Sequence, residues 1–383
     1  MKALKGRIVT ETEILDGYLV LEHGRIAAVT RQTPGCEIED HSEEYIIPGF
    51  IDMHIHGVHN FLVDDGPEAL KGMCRVLPQY GVTSFLPTVS PSPMGQDAAF
   101  LKTLSSTDTD GTNILGFHLE GPFLALTGAF NKDAITGGGA ERVKALIEAA
   151  KPYKTIFSIS PDVEGITDLI PIMAADNTPV FMTHTAATAE QAIKAIEKGA
   201  CHCTHFYDVF PCPPVSEPGV RPSGIVEAVL ADENVSVDFI LDGVHVAPIA
   251  VKMALTAKRG GPGKVCLITD ANVGAGFPPG TYTFGNMGDI CFDYPGAPAR
   301  SVKDHTLAGS GLTLDTALRN AVKLLNLDLV EASKLLSLNP ATVLHQQDKK
   351  GSLSPGKDAD FVIIDKDLTV QSTWIAGKEY YKK

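Results

Sequence analysis

The sequence predicts an α/β protein built on a closed (β/α)8 barrel of the TIM type, with a small β-sandwich domain formed from both chain ends. Eight β-branched apolar segments alternate with helical segments after Pro48, which is the pattern of a parallel barrel. Both chain ends instead show the alternation typical of antiparallel strands. A doubly wound open sheet is the alternative, but no glycine-rich G-x-G-x-x-G turn follows any predicted strand.

Residues 1–47 predict a small β-meander. Its segments are separated by glycine and charged residues and read GRIVT, GYLVLEHGRIAAVT and EYIIPG. The end of the chain, KGSLSPGKDADFVIIDKDLTVQSTWIAGKEYY, has the same texture, so we expect the two ends to pair into one sheet module. This predicts one domain from residues 1–47 plus 347–383 and a barrel domain from residues 48–346.

The eight predicted barrel strands follow one another along the chain. They read FIDMHIH, TSFLPTV, NILGFHLE, TIFSIS, PVFMTH, CHCTHF, VDFILDG and VCLITDA. The helix that starts after Thr188 has a capping box, with Gln191 three residues on and Gly199 as its C-terminal stop. After the eighth strand, residues 281–304 predict an inserted hairpin, and residues 312–325 and 329–347 predict paired helices.

Composition and charge restrict the class of protein. The chain has 383 residues, a formal net charge of −14 and no Lys/Arg-rich block, which argues against nucleic acid or an anionic membrane as the main partner. Its seven cysteines are scattered without a disulfide framework, which favours a reducing compartment. We see no signal peptide and no 18-residue apolar run, so we expect a cytoplasmic protein that acts on a small molecule.

Residues of ligand type lie at the C-terminal ends of five predicted strands, where the active sites of this barrel gather. They are His54 and His56, Glu120, His184, His205 and Asp270. Two imidazoles and a carboxylate make an open site for a divalent metal, and the cation would compensate an ionised glutamate at the mouth of a buried strand. Asp270 is then the candidate general base, and the predicted chemistry is metal-assisted hydrolysis of an amide or ester.

Structural interpretations compete with this one. A single histidine at a strand end is as often a hydrogen-bonded structural residue as a ligand, so the prediction rests on the whole set. The motif CHCTH could form a Cys/His zinc knot, but we favour Cys201 and Cys203 as small residues of the barrel interior. His118 is expected to pack or to support the ligands.

Seven motifs occur in the order IPGFIDMHIHG, HLEGPF, THFYD, LDGVHV, LITDA, LAGSGLT and GSLSPGKDADFVIID. From about residue 45 to 370 they resemble the amidohydrolase superfamily and, within it, the N-acetylglucosamine-6-phosphate deacetylase family.

The resemblance implies a role for each matching position. Glu120, His184 and His205 would bind the principal metal, and His54 and His56 would bind a second metal in members that have two. The other implied roles are Asp270 as the catalytic aspartate, His245 as a substrate contact, and Leu307 and Ala308 in the loop that closes over the sugar. Independently of the resemblance, Gly121 and Pro122 after Glu120 predict a sharp turn that lets substrate approach the metal.

The substrate pocket departs from the pattern of the family. Asp208, Val209 and Phe210 stand where the family has Asn-Ala-Met, and Phe130 stands by spacing where some members have a histidine. Ser216 replaces the arginine that helps to hold the phosphate, and Arg221, five residues further on, could substitute for it only after a loop shift. A lost cation and an added carboxylate disfavour a dianionic phosphate.

Three hypotheses for function follow. The first is a metal-dependent hydrolase that removes the acetyl group from an N-acetylated amino sugar, N-acetylglucosamine-6-phosphate or a close relative. The second is a deacylase or amidohydrolase of a different, non-phosphorylated N-acyl or cyclic amide substrate. The third is a binding protein without catalysis, which the presence of Asp270 and every ligand position disfavours. One or two divalent ions are expected, zinc first, with iron, manganese and cobalt as alternatives, and the resemblance implies a homodimer.

Overall fold

The structure is a computed structural model that describes residues 1–130, 134–135, 137–215, 217–259, 263–285 and 288–383. The strands are, in chain order, β1 Lys2–Val9, β2 Ile14–Glu22, β3 Arg25–Thr30, β4 Glu37–Pro48, β5 Phe50–Ile55, β6 Gly57–Val58, β7 Phe61–Leu62, β8 Val82–Val89, β9 Asn113–Ile114, β10 Phe117–Glu120, β11 Thr155–Ile159, β12 Val180–Met182, β13 Ala200–Cys203, β14 Ser236–Ile240, β15 Val265–Ile268, β16 Gly280–Thr283, β17 Asp289–Phe292, β18 Pro298–Ser301, β19 Leu307–Ser310, β20 Phe361–Ile364, β21 Val370–Ile375 and β22 Lys378–Lys382. The helices are α1 Pro67–Val76, α2 Gln96–Ser105, α3 Gly139–Ala150, α4 Ile166–Met173, α5 Ala189–Glu197, α6 Ile225–Ala231, α7 Pro248–Ala257, α8 Leu314–Leu325, α9 Leu329–Leu336 and α10 Leu338–Val343.

Eight parallel strands form the barrel in the order β5, β8, β10, β11, β12, β13, β14 and β15. They fall on the eight predicted segments, so the predicted barrel is confirmed. The last strand returns to the first, because the amide of Asp270 donates to the carbonyl of His54 at 2.8 Å and Ile55 forms a parallel bridge with Ala271. The C-terminal ends of all eight strands therefore meet around one mouth.

Helices cover the outside of the barrel, and their caps follow from the sequence. At α5 the Thr188 hydroxyl accepts the Gln191 amide at 3.3 Å, and the Gln191 side chain accepts the Thr188 amide at 2.9 Å. Gly199 follows this helix with φ of 117°, a backbone conformation that glycine adopts without strain. The predicted capping box and C-terminal stop are both present.

Both chain ends meet in one seven-stranded sheet, here called the end sheet, in the order β22, β21, β20, β4, β1, β2, β3. The sheet curls until its edge strand β3 reaches the segment before β20, where the Ile26 amide donates to the Lys357 carbonyl at 2.9 Å. One face encloses its own core, which includes Leu4, Leu19 and Phe361. Other residues of the end sheet, Ile47 and Val362 among them, belong to the core of the barrel. The division into residues 1–47 plus 347–383 and residues 48–346 stays a prediction.

A four-stranded antiparallel sheet, β16 to β19, follows the last barrel strand. The hairpin predicted over residues 281–304 is present, since β16 pairs with β17, and the same range also contains β18. The sequence did not reveal β18 and β19 because they are short and rich in small residues, as in LAGS, and lack an alternating apolar pattern. This sheet encloses a separate small core that includes Phe284 and Ala308, and both residues also face the barrel mouth. Among the described residues, no helix has both the length and the apolarity that a bilayer crossing requires.

Candidate active site

The strand ends bring the six predicted residues of ligand type together at the barrel mouth. His54 lies within β5, Glu120 ends β10, and the others follow the ends of their strands by one or two residues. All six are buried. His184, His205 and Asp270 have φ of 50°, 35° and 46°, and a non-glycine residue in this left-handed region carries about 1–3 kcal/mol of strain. Such strain is concentrated at functional sites, because it turns side chains away from the regular strand direction.

Glu120 is shared by two pairs of histidines. Its Oε1 lies 3.0 Å from His184 Nε2 and 2.8 Å from His205 Nε2. Its Oε2 lies 3.0 Å from His56 Nε2 and 3.3 Å from His54 Nε2. Two groups of three candidate ligands result, and within each group the ligand atoms lie within 4.8 Å of one another.

In His184 and His205, the hydrogen bonds of the other ring nitrogen determine which nitrogen faces Glu120. His184 Nδ1–H donates to the Leu126 carbonyl at 3.0 Å, and His205 Nδ1–H donates to the Asp208 carbonyl at 3.3 Å. Carbonyl oxygens are acceptors only, so Nδ1 carries the proton and Nε2 is the nitrogen whose lone pair faces a carboxylate oxygen when the ring is neutral. Facing acceptors are stable only with a positive charge between them, which a proton on Nε2 supplies in the metal-free state and a metal ion could supply in its place. The donor set therefore fits a divalent metal ion.

The charges around Glu120 lead to the same conclusion. Burial by itself lowers the pKa of His205, but the hydrogen bond to Glu120 and its negative charge outweigh burial and raise the pKa to about 10. The same causes raise the pKa of His56 to about 9. Burial would raise the pKa of Glu120, but the charge of His54 and hydrogen bonds from the other histidines hold it well below its usual range. The cluster thus favours positive charge beside this carboxylate.

A cavity of about 80 Å³ lies over the cluster, large enough for a few waters or an acetyl group. Besides candidate ligands, it is lined by Gly128, Ala129, Phe130, Asp208, Val209, Asn272, Phe284, Leu307, Ala308 and Gly309. The centre of the Phe130 ring lies 5.7 Å from that of His184 and 6.2 Å from that of His56. Asp270 also lines this cavity, with Oδ1 3.4 Å from His54 Nε2. A carboxylate here can exchange a proton with a water or an amine held over the cluster.

Comparison with known proteins shows which family the chain belongs to. The model of the amidohydrolase family matches residues 45–380 of the chain. The chain belongs to the amidohydrolase family.

Curated relatives match this amidohydrolase over nearly all of its length. It is 32% identical to N-acetylglucosamine-6-phosphate deacetylase of Bacillus subtilis (strain 168), over 97% of this chain and 94% of the relative. It is 31% identical to N-acetylgalactosamine-6-phosphate deacetylase of Escherichia coli O157:H7, over 97% of each chain.

Solved structures give the same picture. The amidohydrolase superposes on N-acetyl-D-glucosamine-6-phosphate deacetylase of Mycobacterium smegmatis with a TM-score of 0.89, at 27% identity over 99% of this chain and 100% of the other. The corresponding enzyme of Pasteurella multocida gives 0.87 at 25% identity, over 100% of both chains.

The structure separates some predicted substrate contacts of this amidohydrolase from the cavity. Arg221 has a side chain that is 75% exposed, and it pairs with Glu227 at 2.7 Å instead of reaching the cavity. The side chain of His245 is buried and donates from Nδ1 to Asp242 at 2.6 Å, while its Nε2 has no hydrogen-bond partner among the described residues. Gly121 turns the chain away from Glu120 with φ of 106°. Ser216 lies outside the described residues.

The side chains of the two cysteines of CHCTH do not hydrogen-bond to the residues of the site in the part of the chain that the structure describes. The two residues that alternate with them make such contacts instead. His202 Nε2 donates to the buried Asp238 at 2.9 Å, and Thr204 Oγ1 lies 2.9 Å from Nδ1 of the candidate ligand His54. The prediction that Cys201 and Cys203 face the barrel interior was therefore wrong, because the alternating strand places His202 and Thr204 on that face. Strand alternation ends at His205, whose left-handed backbone brings its side chain to the side already used by Thr204. Within the described residues, the metal-ligand groups contain no cysteine.

Sequence reasoning missed Asp238 and Thr204. Asp238 is fully buried in the segment SVDFI, and a lone carboxylate in an apolar barrel strand was a usable signal.

His118 lies outside both ligand groups, because its Nδ1–H donates to the Met53 carbonyl at 3.0 Å and its Nε2 accepts from the Ser158 hydroxyl at 2.5 Å. Burial also holds the pKa of His118 well below its ordinary value, so its ring stays neutral.

Proposed function

We propose that this amidohydrolase is a metal-dependent deacetylase that removes the acetyl group from an N-acetylated amino sugar. The observation that supports this most directly is the shared Glu120, with two histidines on each oxygen and Asp270 beside one pair. The relatives are named as deacetylases of amino-sugar phosphates, and they match the chain over nearly its whole length. The small cavity over the cluster suits an acetyl group.

Each residue of the site has a part in the proposed reaction. A divalent ion held by Glu120 and its histidine pairs would supply a Lewis acid for the acetyl carbonyl and would lower the pKa of water. Asp270 takes the proton of the attacking water and then donates it to the departing amine. Phe130 covers the cluster between His56 and His184 and limits the entry of bulk water.

We propose two ions, with zinc as the resident metal. Zinc binds imidazole nitrogen and carboxylate oxygen as ligands. Glu120 offers one oxygen beside each pair of histidines, so each pair could hold one ion. Iron, manganese and cobalt accept the same donors, so metal analysis of the purified protein decides among them. The homodimer and the cytoplasmic location stay predictions.

Amine release from acetylated sugars tests the proposed function. Metal-loaded protein is supplied with N-acetylglucosamine-6-phosphate, N-acetylgalactosamine-6-phosphate and their unphosphorylated forms. We expect amine from at least one of them, and we expect Asp270→Asn to lower kcat by about 10²–10⁴-fold because the proton carrier is lost. Metal content should stay at the wild-type level, and the exposed Asp293→Asn should match wild type. If none of the sugars yields amine, the amino-sugar proposal is wrong.

The second candidate is hydrolysis of a non-phosphorylated N-acyl substrate, and the charge of the cavity favours it. Glu120, Asp208 and Asp270 line the cavity, whereas no lysine or arginine does so in the part of the chain that the structure describes. The adjoining cavity, of about 520 Å³, shares Phe130 and Phe284 with the first and adds Asp64 and Asp65. Its described lining also lacks a cationic side chain.

The phosphate preference of the enzyme distinguishes the two candidates. Asp208→Asn removes one carboxylate that would repel a phosphate, so kcat/KM for a phosphorylated sugar should rise several-fold while that for the unphosphorylated sugar changes little. Adding Ser216→Arg should increase the gain, because guanidinium pairs strongly with phosphate. A wild-type enzyme that turns over only phosphorylated sugars would rule out the second candidate.

A further inference from the structure

A buried carboxylate lies beneath the candidate ligands, on barrel strand β14. Asp238 is 0% exposed, and its oxygens accept three hydrogen bonds. Oδ1 accepts the His205 amide at 2.6 Å and the Thr204 hydroxyl at 3.1 Å, and Oδ2 accepts from His202 Nε2 at 2.9 Å. A buried charge is stable only when it is so satisfied, and these bonds therefore hold the carboxylate rigidly in place.

Through Thr204, Asp238 controls the ring of His54. A hydroxyl has one proton, and here it is donated to a carboxylate that can only accept. The Thr204 oxygen must therefore accept from His54 Nδ1–H, 2.9 Å away. This fixes Nδ1 of His54 as a protonated nitrogen and leaves Nε2, 3.3 Å from Glu120 Oε2, as the nitrogen available to a metal ion.

Through the backbone, the same aspartate holds His205 of the other ligand group. The Asp238 side chain accepts the His205 amide, and its carbonyl accepts the Phe206 amide at 2.9 Å. Both hydrogen bonds stabilise the strained turn at which His205 has φ of 35°. The ring carried by this turn places Nε2 2.8 Å from Glu120 Oε1.

We propose that Asp238 is a positioning residue that couples the two metal-ligand groups, holding His54 through the Thr204 hydroxyl and His205 through its backbone amide. Asp238 itself belongs to neither ligand group and does not line the cavity. This inference rests on the proposed metal-dependent function.

Titration of the metal-free protein with Co²⁺, followed by its visible absorption and by equilibrium dialysis, tests the coupling. We expect wild type to bind two ions. Thr204→Val removes the hydroxyl that links Asp238 to His54 and keeps the bond from the His205 amide to Asp238, so one of the two affinities should fall by about 10–100-fold and the other should stay. Thr204→Ser keeps the hydroxyl and should restore both. Asp238→Asn should weaken both ions and change both absorption spectra.

Controls separate positioning from general damage. Ser236→Ala removes a hydroxyl 2.7 Å from His202 Nδ1 and leaves the contacts of Thr204 intact, so both ions should bind as in wild type. Equal affinities in Thr204→Val and wild type would overturn the proposal, as would a Thr204→Ser variant as weak as Thr204→Val. One ion per wild-type chain would also overturn it. The titration needs no substrate, so a failed deacetylase assay would leave its result intact.

Discussion

Glu120 combines two structural roles in one side chain, because its oxygens face different pairs of histidines. In the metal-free state protons on the histidines must balance its charge, which is why the pKa of His205 is raised. A divalent ion in either ligand group would take the place of those protons. Binding of metal at the two groups is therefore linked through one carboxylate.

Replacing Glu120 by glutamine should remove metal from both groups. The amide keeps the size of the side chain but has no charge, and it turns a donor toward one histidine pair. We expect affinity to fall by at least about 100-fold, beyond the 10–100-fold typical of losing an outer partner of a ligand. The metal content of the protein after dialysis measures this loss of affinity. Glu164→Gln, at an exposed glutamate, is the matched control. Full retention of two ions in Glu120→Gln would contradict the shared-ligand geometry.

Side chains at the site differed in how well they could be predicted. The six residues of ligand type could be named because residue type and strand-end position are both visible in the sequence. Asp238 could not be connected to them, since its link passes through Thr204, and alternation assigned Thr204 to the wrong face. The left-handed backbone at His205 that causes this error has no signature in a histidine residue. Arg221 was offered as a phosphate contact, and its pairing with Glu227 could not be predicted from spacing alone.

At the scale of the element, the loop after β10 holds His184 from both sides. The Leu126 amide donates to the His184 carbonyl at 2.9 Å, and the Leu126 carbonyl accepts from the ring. Gly128 then passes so close that a Cβ would lie 2.5 Å from His184 Cε1. The loop can take this path only because residue 128 has no side chain.

Gly128→Ala should push the His184 ring away from Glu120. A displacement of about 1 Å can cost about 100-fold in rate, so we expect kcat/KM and metal affinity to fall together. Gly137→Ala is a matched control in the same connection, because Gly137 also has positive φ but a Cβ there would meet nothing within 4 Å. Steady-state kinetics and metal titration of both variants measure the difference. Equal losses in the two variants would mean that backbone strain, not the close approach, causes the effect.

The connecting elements also show why prediction was uneven at this scale. Helices with strong apolar periodicity and a capping box, such as α5, were visible in the sequence. The second of the paired helices is divided at Ser337 into α9 and α10, although its apolar pattern is continuous. Ser337 bonds through its hydroxyl to the Pro48 carbonyl at 3.2 Å, a partner far away in sequence. Tertiary contacts of this kind override local periodicity.

At the scale of the whole molecule, the end sheet joins the first and last segments of the chain to the barrel. Lys350 lies at this junction, with Nζ 2.5 Å from Asp360 and 3.1 Å from Asp358. Asp360 also accepts the Ala376 amide at 2.7 Å, and its carbonyl accepts the Gly49 amide at 3.0 Å. The ion pairs hold Asp360 in place, and its backbone carbonyl connects this segment to Gly49, the residue before the first barrel strand. We propose that the two parts are architectural domains that unfold together, because residues such as Ile47 and Val362 lie in the barrel core.

Lys350→Ala should therefore destabilise the whole protein. Removing one partner of a buried ion pair leaves the other charge uncompensated, which typically costs about 3–5 kcal/mol in the free energy of unfolding. Urea unfolding of the metal-loaded protein, followed by circular dichroism and by metal release, measures the change. We expect one transition at lower urea, with metal released in that same transition. Lys151→Ala breaks an exposed pair with Glu148, 2.6 Å apart, and should leave the midpoint unchanged. If Lys350→Ala instead produces an early transition in which the metal stays bound, the end sheet unfolds separately and the proposed coupling of the two domains is wrong.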